Sequence, residues 1–319
     1  MINRTLVRTR VVQTLFAYYK SEGKTPSTAR KELLRSFSDT YSLYMALLAF
    51  VDELTSYAQQ QITDAESRAR FTHRNYFPNR RFVNNRFAKQ LFENRQLRHY
   101  LDEQHIDWEA GQACLADIYR DLQDMPFYKE YMSADKATYD DDKAVWRKIF
   151  SELLPDNDDL LAALEEMEVR LDMQNWTVDL DLILSYVVKT VRRFREEAEA
   201  DQKLLEMFDH EDELTFAKKL LESAITHRDE NMELVHKHLK NWDADRLAYM
   251  DTIILQVALA EILYFPEIAI EVSMNEYIEI AKEYSGEKSY LFINGIMNEI
   301  LQELRREGKL IKPMKKAEN

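Results

Sequence analysis

A chain of 319 residues with 45% hydrophobic content is long enough to bury one large core or two ordinary ones, and it reads as globular. Only five Gly and six Pro accompany abundant Leu, Glu, Ala, Lys and Arg, so the expected fold class is all-α, with long helices and short connections. A formal net charge of −14 excludes indiscriminate nucleic-acid binding, because most of the surface repels phosphate.

The first predicted helix places Val7, Val11, Leu15 and Tyr18 at helical spacing, with Arg4, Arg8 and Arg10 near its start. It has no small-residue cleavage site after it, so it reads as an amphipathic helix and not a signal peptide. Ser21, Gly23 and Pro26 end it, and two further helices are expected, from Pro26 to about Leu34 and from 40 to 62. Residues 71–98 carry seven Lys or Arg against the single acid Glu93, whereas 101–172 carry twenty acids against seven bases, a net of −13. Helical patterning continues through 176–200, 213–227 and 231–239, and Asp243 or Asp245 is placed to cap a helix running to Pro266. Ser273 with Glu276 has the spacing of a capping box that opens a helix through Tyr284. Gly286 is then expected as a left-handed helix cap, and Gly295 as a point of close helix packing.

Catalytic patterns are absent. The five glycines are too dispersed for a dinucleotide or methyl-donor loop, and Ser285 with Lys288 lacks the companion motifs of serine acyl enzymes. His236 and His238 sit two apart on a helix and face different ways, so no metal site is expected there. The acidic clusters Asp140–Asp142 and Asp156, Asp158, Asp159 lack the glycine and terminal glutamate of a calcium loop. The single Cys114 excludes an internal disulfide and fits a reducing compartment. The most apolar run, 253–265, is interrupted by Gln256 and Glu261, so no membrane span is expected; the expected location is cytoplasmic, with no cofactor.

Residues 250–301, with Asn275-Glu276 before IEIAK and EKS before FINGI, resemble the C-terminal half of the NusB family of transcription antitermination factors. The helix at 216–239 is similar to the helices that precede that region in the family, and RTRVVQTLFAYY at 8–19 resembles its arginine-bearing first helix. Departures are Gln256, where the family usually has arginine, and Ala260, where it usually has an aromatic. The resemblance implies two packed helical sub-bundles interrupted by a large helical insertion. Its parts are a first helix within 1–22, an insertion over 23–208 whose start could fall as late as 70, and the remainder with a basic tail over 209–319. It also implies a non-enzymatic factor that binds boxA-type RNA of ribosomal RNA leader transcripts together with NusE, a ribosomal small-subunit protein, in an RNA polymerase antitermination complex. The alternative is a helical interaction scaffold that does not bind RNA.

Candidate site residues follow. Arg4, Arg8 and Arg10 gather charge at the positive end of the first helix, where phosphate can bind. The resemblance adds Tyr284, Lys288 and Phe292 at the turn before the last helix as RNA contacts. It also places Asp251, on a helix from Asp245 to Tyr264, as a contact for a basic protein partner. Arg80, Arg81 and Arg86 lie among aromatic residues in a mixture that suits single-stranded RNA. Equally, Val83, Phe87 and Leu91 mark the buried stripe of an ordinary helix whose arginines pair with the acidic stretch 101–172.

Overall fold

The first helix, α1 (Arg4–Lys20), begins where the side chain of Asn3 accepts a hydrogen bond from the backbone N–H of Leu6, a short polar cap on an otherwise apolar start. The computed structural model describes residues 1–21, 23–73, 75–239 and 248–310. After α1 come α2 (Pro26–Phe71), α3 (Arg86–Phe92), α4 (Arg95–Gln104), α5 (Cys114–Asp124), α6 (Pro126–Ser133) and α7 (Tyr139–Lys148). Then follow α8 (Asp158–Leu171), α9 (Trp176–Arg193), α10 (Glu213–Thr226), α11 (Arg228–His238), α12 (Tyr249–Tyr264), α13 (Ile270–Tyr284) and α14 (Ser289–Arg306). The fold is all-α, and the extended pairing among the described residues is one isolated bridge between Ile2 and Phe208.

The chain forms two compact units, one of Met1–Arg35 with Phe208–Asn319 and one of Ser36–Met207. In the first, α1 packs against α10, α12 and α13, while α14 packs against α11, α12 and α13. Helix α12 is its centre, with every residue from Ile253 to Ile262 buried. A helix that is apolar on all sides can only be an interior element, and each buried Ile, Leu or Val on it contributes roughly 1.5–3 kcal/mol.

In the second unit the polar residues Ser36, Asp39, Thr40 and Ser42 are all buried along α2. Thr40 donates to Asp179 on α9 at 2.8 Å, the Asp39 carbonyl accepts from Trp176 Nε1 at 2.9 Å, and Ser42 shares a hydrogen bond with Tyr100. The expected break into two helices at the serine- and aspartate-rich interval 35–39 does not occur: α2 continues through it unbroken, with Ser36 and Asp39 turned to the interior. Trp108 Nε1 donates to the Ala46 carbonyl at 2.9 Å, and Trp146 stacks on Phe82 at 5.3 Å. The acidic clusters sit at helix starts, with Thr138 and Asp141 forming a capping box on α7 and Asp158 and Asp159 opening α8. Negative charge is favourable at that end of a helix.

Four local expectations change. Ser273 is no N-cap: α13 already starts at Ile270, and the Ser273 hydroxyl turns inward instead. Gly286 does not adopt a left-handed backbone; among the described glycines that role falls to Gly23 and Gly308. Helix α9 stops at Arg193, where Phe194 turns into the core. Val83 precedes α3 in a turn, while Phe87 and Leu91 are buried on it. The expected caps Asp243 and Asp245 lie outside the described residues, as does most of the basic tail.

Glycine substitutions separate the two situations. A Cβ at Gly111 would lie 2.6 Å from Trp108 Cε3 and 3.0 Å from Met167 Sδ, so Gly111→Ala is expected to destabilise by about 1–3 kcal/mol and lower the melting temperature. At Gly286 the nearest atom is Ser289 Oγ at 3.5 Å, so Gly286→Ala should be neutral or stabilise by up to about 1 kcal/mol.

Candidate nucleic-acid interface

In place of the expected surface cluster of arginines, α1 turns Arg8 inward. Its Nε donates to Glu261 Oε2 at 2.8 Å and its Nη2 to Glu261 Oε1 at 2.9 Å, a two-pronged pair with both partners buried. Ser273 Oγ donates to Glu261 Oε1 at 2.6 Å, Tyr277 OH donates to Oε2 at 3.0 Å, and Glu276 lies 3.4 Å from Arg8 Nη1. Burial, followed by the neighbouring Glu261, pushes the Tyr277 phenol well above its ordinary range. Burial pulls Arg8 down, and the hydrogen bond and charge of Glu261 more than offset it. A guanidinium so enclosed has no face for phosphate.

Arg10 is also buried and donates to Gln13 Oε1 at 2.7 Å. Arg4 is partly exposed, but it pairs with Asp212 at 2.7 Å and Glu213 at 3.7 Å and lies 5.0 Å above the Phe216 ring. Arg4 and Arg8 are one helical turn apart and point at the returning C-terminal helices, which bring the carboxylates that hold them.

Asp251 is likewise interior. Its carboxylate accepts from the Ser285 hydroxyl and, at 3.0 Å, from the Ser289 hydroxyl, which ties the α13–α14 turn to the first turn of α12. That pairing corrects the expected contact with a basic partner. The helix proposed as the docking surface is enclosed along nearly its whole length, and Asp245 lies outside the described residues. Gln256 fills its departure from the family pattern internally, donating to Tyr19 OH and the Ala224 carbonyl, both at 2.7 Å.

Helices α1 and α12 run antiparallel, since Arg8 near the start of one meets Glu261 near the end of the other. At the opposite end Phe16 meets Tyr249 at 5.5 Å, and Lys20 Nζ lies 4.2 Å from the Phe16 ring. The first turn of α12 thus joins two places: Tyr249 holds the end of α1, and Asp251 holds the turn that carries Lys288. Lys288 is exposed and has no carboxylate partner among the described residues; Tyr284 ends α13 before it and Phe292 lies in the first turn of α14 after it, both partly exposed. Tyr249 is 40% exposed, so a ring remains open beside the cations. Cations and partly open rings at one end are what a single strand needs for phosphate contact and base stacking. Arg4 lies at the far end of α1, roughly 25 Å away at about 1.5 Å per residue. Phe16, Lys20 and Tyr249 are missing from the sequence-predicted set; the i, i+4 spacing of ring and cation in FAYYK was their only signal.

The basic segment has internal partners. Arg80 pairs with Glu66, Arg81 donates to the Ala134 carbonyl, and Arg86 pairs with Asp142 at 2.8 Å and Glu196 at 3.1 Å. Only Asp142 belongs to the acidic stretch 101–172; the other two acids come from outside it. Among the described residues no group of three or more His, Cys, Asp or Glu gathers to hold a metal, and no helix is long and apolar enough to cross a membrane.

A first helix that packs against a buried C-terminal helix within one compact unit defines an all-helical protein. The sequence model of the NusB family matches residues 180–302. The transcription antitermination protein NusB of Finegoldia magna is 40% identical over 93 residues, covering 29% of this chain and 68% of that protein. The NusB proteins of Bacillus subtilis (37% over 91 residues, 28% of this chain and 70% of that one) and Salinibacter ruber (39% over 97 residues, 30% and 61%) are also similar. No solved structure matches the chain. The chain belongs to the NusB family.

The Arg8 network gives a direct test. Arg8→Met leaves Glu261 buried and uncompensated, and is expected to cost about 3–5 kcal/mol in a denaturant titration. Adding Glu261→Gln, which removes the charge and keeps an acceptor for one of the Ser273 and Tyr277 hydroxyls while its amide can donate to the other, should recover a large part of that loss. A near-neutral single variant would mean Arg8 is at the surface.

Proposed function

We propose that this chain is a cytoplasmic transcription antitermination factor that binds boxA-type RNA of ribosomal RNA leader transcripts together with NusE, in an RNA polymerase antitermination complex. The observations that support this most are the exposed Lys288 in the α13–α14 turn, which Asp251 fixes to the first turn of α12, and Lys20 beside the rings of Phe16 and Tyr249. In this reading Lys20 and Lys288 contact phosphate, and Tyr249, Tyr284 and Phe292 offer surfaces for unstacked bases. Arg8 and Arg10 maintain the helix that carries Lys20 and make no RNA contact. NusE docks on a surface other than the buried face of α12.

A second reading, a helical interaction scaffold without RNA binding, is favoured by one observation: two of the three arginines of the first helix are withdrawn into the core. Fluorescence anisotropy with a boxA-type RNA, with and without purified NusE and over a range of salt, separates the two. Saturable binding is expected, and Lys20→Gln with Lys288→Gln should weaken it and flatten the log–log salt slope by about 0.7 for each phosphate that is no longer neutralised. Arg80→Gln should leave both affinity and slope unchanged. Absence of binding under all conditions would favour the scaffold.

A further inference from the structure

The second unit holds a cationic cavity of about 310 Å³ between α6 and α7, and nothing about the family reading accounts for it. Asn79 Nδ2 donates to the Met132 carbonyl at 2.7 Å and fixes the segment that delivers Arg81. The Arg81 guanidinium lies 5.7 Å from the centre of the Tyr131 ring, and its Nη2 is held by the Ala134 carbonyl. Its Nη1 is buried and has no hydrogen-bond acceptor among the described residues. Lys136, on the connection between the helices, and Lys148, at the end of α7 and 5.6 Å from the Phe127 ring, line the same cavity. Neither has a carboxylate partner among the described residues.

Two acids also line the cavity. Asp141 bonds Thr138 in its capping box and also feels the charge of Arg81, and Glu130 is exposed; both carboxylates oppose an anion. Three cations therefore surround a space whose remaining walls include Phe127, Ala144 and Val145, in a stretch of chain that is otherwise strongly acidic. The charges of a guanidinium and two ammonium groups match a phosphate monoester, which carries about −1.5 to −2 at neutral pH. The volume falls at the small end of ligand cavities, which span roughly 300–1,000 Å³, and the apolar wall suits an organic portion. We infer that this cavity binds a small organic phosphate, with Arg81, Lys136 and Lys148 as its anion contacts. The source is a free metabolite or the 5′-phosphate of an RNA strand, and the inference is independent of the RNA site at the start of α12.

Isothermal titration of the full chain with ribose 5-phosphate and adenosine 5′-monophosphate tests it, with adenosine and inorganic phosphate as controls. Saturable binding of both organic phosphates is expected, at least about tenfold tighter than either control. Lys136→Gln and Lys148→Gln should each weaken it several-fold without lowering the melting temperature, and Arg81→Leu should abolish it. Glu130→Gln should tighten it by removing the opposing charge. The two lysine variants carry the test if Arg81→Leu fails to fold. A 5′-phosphorylated oligoribonucleotide bound better than its unphosphorylated form, with the weakening in Lys136→Gln preserved, would identify a strand end as the source; binding of the small phosphates alone would identify a metabolite. No saturable binding to about 10 mM, where affinity is below roughly 3 kcal/mol, would overturn the inference. Affinities unchanged in both lysine variants, or adenosine binding as tightly as its monophosphate, would overturn it as well.

Discussion

The ion pair between Arg8 and Glu261 joins residues 253 positions apart and ties the two ends of the chain together within the first unit. The pair is interior, so neither charge can be removed without stranding the other. Ser273 and Tyr277 complete the environment of the carboxylate, leaving each of its oxygens with two donors. Three helices, α1, α12 and α13, are thereby fixed in register at one end. The other end is fixed differently, by Phe16 against Tyr249 and by Asp251 under the α13–α14 turn.

This division of labour along α1 decides where RNA can be met. Charge near the start of the helix is spent on holding the helix in place: Arg8 against Glu261, and Arg4 against Asp212 and Glu213. Charge near its end is left beside open rings. In a chain of net charge −14, a few cations with no internal acid determine where phosphate is tolerated, because paired arginines contribute little to the field outside. The basic segment around Arg80 and Arg86 illustrates the same rule, since its charges are neutralised within their own unit by Glu66, Asp142 and Glu196.

Much of the fold was legible from the sequence. Scarce glycine and proline with helical periodicity gave an all-α chain, and the residues around FINGI carried the family. The interruptions were harder to read. Serine and aspartate at 36–42 have the composition of a helix break, yet they are interior groups whose partners, Asp179, Trp176 and Tyr100, are distant in sequence. Ser273 has the spacing of a cap for the same reason that it fails to be one: its hydroxyl has a better acceptor in Glu261. The candidate site suffered from this most. Arg4, Arg8 and Arg10 look like an exposed cluster, but the acids of α10, α12 and α13 and the residue before α10 return to meet Arg4 and Arg8, and a local pattern contains no information about that return. Tyr284 ends α13, Lys288 lies in the turn and Phe292 lies in the first turn of α14, while Lys20 and Tyr249 meet from helices far apart in the chain.

The central claim is that RNA contacts the end of the first unit where α1 finishes and α12 begins, and not the arginine-bearing start of α1. Hydrogen–deuterium exchange of the full chain, read by mass spectrometry with and without a boxA-type RNA, tests this without any substitution. Slowed exchange is predicted in peptides covering the end of α1 and the turn from Ser285 to Lys288, with peptides from 79–92 unchanged. Protection centred on residues 3–10 or on the basic segment, with none at the α13–α14 turn, would contradict the account.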